Sequence, residues 1–109
     1  MPERLGYVWE KLTGAVHGMA WSSRPIQHRI ANAFIGNLVR LEVEDFPEDL
    51  QESFASINAK MTSVEAKGDE GSFMASALAM SDEEAEAVAR TIVELADAVS
   101  ARYTDFPNP

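Results

Sequence analysis

Ser81-Asp82-Glu83-Glu84 stands directly before Ala85, Val88, Ala89, Ile92, Leu95, Ala96 and Val99, an apolar series spaced three and four apart. A serine oxygen in that place can accept from an orphan amide of a first helical turn, and a glutamate three residues on can reach back to the serine N–H. This pattern predicts a long amphipathic helix from Asp82 to about Arg102. Asp45-Phe46-Pro47-Glu48 offers a second start, with an aspartate cap, an early proline and an acid at the reciprocal position. Ser23-Arg24-Pro25 is a third. No stretch alternates apolar and polar residues as a half-buried strand does. The punctuation therefore predicts an all-α, single-domain helical bundle of four main helices plus one short helix.

The first helix is expected from Leu5 to Ala20, where Leu5, Val8, Trp9, Leu12, Ala15, Val16 and Met19 share a face. A turn at Ser22–Pro25 leads to a second, from Pro25 to Leu41. Its apolar arc of Ile26, Ile30, Ala33, Phe34, Leu38 and Leu41 is widened by Ala31 and Ile35, which marks it as the central element. An acidic connection, Glu42 to Asp49, precedes a third helix ending near Val64, whose Leu50, Phe54, Ile57, Met61 and Val64 form an a/d seam. Glu65 to Ser72 reads as a loop, and Phe73 to Met80 as a short helix capped by Ser72. Thr104 to Pro109 should end the last helix, since proline cannot continue its hydrogen-bond ladder. Residues 1–109 are thus one domain, with 103–109 expected as a flexible tail.

The 109 residues include no cysteine, which rules out disulfides, thiolate metal sites and thiol catalysis. Met-Pro-Glu-Arg-Leu lacks the basic and then apolar segments of a secretory signal, and no apolar run has the length of a membrane span, so a cytoplasmic protein without membrane contact is expected. The net charge of −9 is unevenly spread. Residues 1–40 carry five bases against two acids, whereas residues 41–109 carry sixteen acids against four bases. Basic early helices can pack beside acidic late ones, or an acidic surface can attract a basic protein. Direct binding of nucleic acid needs a basic stripe to neutralise phosphates, and five dispersed cations do not make one.

Gly14 and Gly18 form a G-x-x-x-G pair on the first helix, opposite its core stripe, with Tyr7, Lys11 and Trp21 on the same outer side. Two glycines in a helix cost roughly 1 kcal/mol each relative to alanine. Close approach of another backbone offsets such a cost, whether from a helix of the same chain or from a symmetric partner. Tyr7, Lys11, Gly14, Gly18 and Trp21 are therefore the candidate interface. Asn37 lies within the apolar arc of the second helix, where a buried amide must find partners. His17 and His28, the two histidines, have no carboxylate at helical ligand spacing and are expected at the core boundary. The Lys67–Ser72 loop precedes a helix start, but its own Asp69 and Glu70 oppose phosphate there.

Carboxylates can also hold magnesium. Glu94-Leu95-Ala96-Asp97 has E-x-x-D spacing, and Glu48-Asp49-Leu50-Gln51-Glu52 clusters further acids forty-two residues before Glu94. In these few positions the chain resembles the all-helical nucleotide pyrophosphohydrolases of the MazG type, in which facing acids on two helices share metal ions. That resemblance implies a metal-dependent hydrolase using Glu48, Glu52, Glu94 and Asp97. Glu94 and Asp97 also fall opposite Ile92 and Val99, as solvated acids do. With no serine–histidine or cysteine constellation, the preferred expectation is not an enzyme. It is a protein–protein interaction module, homodimeric or bound to another protein, of regulatory or inhibitory type, without cofactor or metal. A hydrolase, or an acidic mimic of nucleic acid, is the alternative.

Overall fold

In the computed structural model, which describes residues 4–104, the chain folds as five α-helices. These are α1 (Leu5–Trp21), α2 (Ile26–Gly36), α3 (Glu48–Met61), α4 (Gly71–Leu78) and α5 (Asp82–Thr104), and no strand occurs among the described residues. Single 3-10 turns at Leu38–Arg40 and Val43–Asp45 join α2 to α3. The sequence expectation of an all-α bundle with four main helices and one short one is met.

The long stripe of α5 organises the bundle. Ala85, Val88, Ile92, Leu95 and Val99 are all buried, and the helix packs on α1, α2 and α3. Its start is the reciprocal cap expected from the sequence: Glu84 N–H donates to Ser81 Oγ at 3.1 Å, and Ser81 N–H donates to Glu84 Oε1 at 2.8 Å. The Ser81 amide, and then its hydroxyl, hold the Glu84 carboxyl below the usual range.

α1 runs antiparallel to α5. At one end the Trp9 indole N–H donates to Ser100 Oγ at 3.0 Å and its ring stacks 5.3 Å from Tyr103. At the other, Val16 and Ala20 face Ala89 and Val93. α3 is also antiparallel to α5, tied by the two-pronged Arg102–Asp49 pair, with Nη1 to Oδ1 at 2.7 Å. α2 is held beside the start of α5 by the Gln27 amide, which donates to Met80 O at 3.2 Å and Asp82 Oδ1 at 2.9 Å. α4 closes the remaining side through Phe73, whose ring lies 5.3 Å from Phe34. Leu12, Ile30, Phe34, Leu38, Phe46 and Phe54 fill the middle, with Phe46 and Phe54 stacked at 4.4 Å.

Several local features depart from expectation. α2 ends at Gly36 rather than Leu41. Asn37 leaves helical geometry at φ −134°, yet Leu38 and Leu41 remain buried, because a 3-10 turn also brings residues three apart onto one side. α2 is flanked by α1, α4 and α5 as a central helix should be, but Ile35 is 47 % exposed.

Asp45 does not cap α3, whose start carries no side-chain cap. Its carboxylate accepts instead from Glu42 N–H at 2.9 Å and from Arg4, Nε at 2.8 Å and Nη2 at 3.1 Å. A backbone bond from Arg4 N–H to Asp45 O doubles that link between the start of α1 and the turn before α3.

Ser72 does not cap α4, because the helix begins one residue earlier at Gly71, whose φ of +82° is in the region open to glycine. α3 stops at Met61. Beyond it both backbone groups of Val64 bond to the buried Ser76 hydroxyl, which accepts from Val64 N–H at 3.0 Å and donates to Val64 O at 3.3 Å. α5 runs two residues past Arg102, so Tyr103, placed in the expected tail, belongs to the helix; Asp105–Pro109 lies outside the described residues.

Candidate interaction surface

The five candidate residues of α1 divide into two groups. Tyr7, Lys11 and Gly14 are engaged by their own chain. Tyr7 packs partly buried against the core, with the Arg4 guanidinium 4.2 Å above its ring and the Lys11 ammonium at 5.3 Å. Lys11 also pairs with Glu10 at 3.4 Å. At Gly14 a Cβ would lie 2.6 Å from Asn37 Oδ1, so this glycine makes room for the asparagine that ends α2.

Gly18 and Trp21 are open. A Cβ on Gly18 would meet nothing within 4 Å. Trp21, on the last turn of α1, is 81 % exposed, and its ring contact is with His17, stacked at 5.2 Å. An indole carries roughly 150–250 Å² of mostly apolar area, so leaving it in water at a helix end is unfavourable by several kcal/mol relative to full burial.

Beside this end of α1 lies a cleft of about 230 Å³ among α1, α2 and α5. Val16, Ala20, Ile26, Ala89 and Val93 form its apolar walls, and Arg29 stands at its edge. Val93 is 39 % exposed. Arg29 is anchored through Nε, which donates to Arg24 O at 2.9 Å. The apolar spacing of α5 runs through Ile92, not Val93. The signal that the sequence held was therefore an apolar residue one step off the core stripe, on a helix otherwise acidic outside.

A recess of about 510 Å³ opens among α3, α4 and α5 beside Lys60, Ser63, Glu83 and Glu84. Three of its polar side chains already have structural tasks: Ser76 satisfies Val64, Glu84 caps α5, and the Ser63 hydroxyl donates to Lys60 O at 2.8 Å.

Glu48, Glu52, Glu94 and Asp97 are all exposed, and among the described residues no three histidine or acidic side chains form a group that could hold a metal ion. Glu83, Glu86, Glu94 and Asp97 are exposed on the outer side of α5, interrupted by Arg90. His28 contributes the one buried side-chain polar atom, Nδ1, without a partner among the described residues. No described helix is long and apolar enough to cross a membrane. Comparison with known proteins finds no matching family model, no similar curated sequence and no similar solved structure.

Proposed function

We propose that the protein is a non-enzymatic interaction module that pairs with a second copy of itself through the open end of α1, around Gly18 and Trp21. The observation that carries this reading is Trp21, the most exposed large apolar side chain among the described residues. Tryptophan is among the residues most enriched where binding energy concentrates, and its two side-chain torsions make it cheap to order. Gly18 supports the reading because its open flank lets another surface approach the α1 backbone. Two copies of a chain carrying −9 repel each other, so the pairing is regulated by concentration and ionic strength.

Trp21→Ala tests the proposal. Its exposed position predicts an unchanged helical signal and melting temperature, with loss of the dimer in sedimentation velocity. A variant that dimerises as the wild type does removes Trp21 from the interface.

A further inference from the structure

We infer that Trp21 of one copy inserts into the α1–α2–α5 cleft of a second copy, and that the second copy's Trp21 inserts reciprocally into the first. The inference rests on the self-pairing proposed above and specifies how it is built.

The cleft's size argues for a side chain as its occupant. At about 230 Å³ it lies below the roughly 300 Å³ at which sites for small molecules begin, which is the scale of one large side chain. Its chemistry argues for an aromatic one. The walls Val16, Ala20, Ile26, Ala89 and Val93 are apolar, and Arg29 at the edge supplies a cation suited to an aromatic face.

The chain's own Trp21 does not fill it. Ala20 lines the cleft, and the next residue of an α-helix is turned by about 100°, so Trp21 is directed away from its own cleft, onto His17 and into solvent. Knob and hole are nonetheless sequence neighbours at one end of one helix. A two-fold axis passing beside Ala20 brings each knob to the other copy's hole, as a self-complementary interface requires.

Two inserted indoles with the walls they cover bury roughly 600–1,000 Å² in total, below the ~1,200 Å² of standard stable complexes, so the dimer is weak and concentration-dependent.

A mixing experiment tests the reciprocal geometry. Trp21→Ala removes the knob and keeps the hole, whereas Val93→Glu blocks the hole and keeps the knob. Val93→Lys repeats the block with the opposite charge. Both sites of change are solvent-accessible, and circular dichroism verifies that each variant is folded. Sedimentation velocity at a concentration where the wild type is largely dimeric should find each variant monomeric. An equimolar mixture of the Trp21 variant with either Val93 variant should recover a dimer fraction between the variants and the wild type, because one knob then meets one intact hole. A mixture no more dimeric than its components overturns the inference. So do Val93 variants that dimerise normally while Trp21→Ala does not, and that outcome leaves the self-pairing through Trp21 standing. A wild type that stays monomeric at high micromolar concentration overturns both.

Discussion

At Gly14 and Gly18 the same residue type, four positions apart on one helix, serves two different surroundings. Gly14 yields space to Asn37, whereas Gly18 borders solvent. Gly18→Ala should therefore stabilise the monomer by about 0.5–1 kcal/mol through helix propensity alone. Gly14→Ala should not show that gain, because its Cβ displaces the Asn37 carboxamide, and Gly14→Ala combined with Asn37→Ala should recover part of it. Thermal melts of the three variants at low micromolar concentration check the signs; equal gains at Gly14 and Gly18 contradict the packing described.

Ser81→Ala should cost about 1 kcal/mol by removing the cap of α5, a fall of roughly 4–8 °C in Tm for a domain near this size. An unchanged midpoint would show that the cap contributes nothing to the cooperative fold.

Asp45 carries a pH signature. Its bonds from Arg4, reinforced by the Glu42 amide, hold its carboxyl below the ordinary value of 3.8. A depressed folded-state value means a contribution that is complete above 3.8 and is lost as pH falls through the lower folded value. The stability gap between wild type and Asp45→Asn, measured by urea denaturation, should be constant near neutrality and shrink below pH 3.8. A gap that persists unchanged in acid means that the ion pair is not its source.

At the scale of elements, legibility followed how many independent signals agreed. α5 was read almost to its ends, because a reciprocal cap and a seven-residue apolar stripe point to the same helix. α1 was read within one residue at its end for a similar reason, its stripe stopping at a serine-proline turn. The end of α2 was hidden because Leu38 and Leu41 keep helical spacing across a 3-10 turn, and burial alone does not distinguish the two. The break belongs to Asn37, whose side chain occupies the space that Gly14 vacates, a contact between residues twenty-three apart that no local pattern encodes. Asp45 was misread as the cap of α3 for the same physical cause. A short acid can serve either neighbouring turn, and here the distant Arg4 decides which. The candidate surface was legible in part: Gly18 and Trp21 lie open as an outer helix face should, whereas Tyr7, Lys11 and Gly14 are taken by contacts across the fold. The cleft was not legible, since it exists only where three helices meet.

For the whole molecule, charge and shape act in opposite directions. Among the described residues the bundle buries one continuous core of twenty-one apolar residues, yet it leaves an indole and an apolar cleft at one end of α1 and spreads acids over α3 and α5. In the proposed pairing, hydrophobic contact at that end favours association, and the −9 charge opposes it over a distance that salt shortens to about 8 Å at physiological ionic strength. Added salt should therefore strengthen the pairing, the reverse of an interface held by ion pairs. The most direct measurement is the light-scattering mass of the wild-type protein across a concentration series in low and moderate salt. With self-pairing at this end of α1, the mass should rise from 12.0 kDa toward twice that value with concentration, and rise earlier in moderate salt. A mass fixed at 12.0 kDa up to high micromolar concentration in both conditions contradicts it.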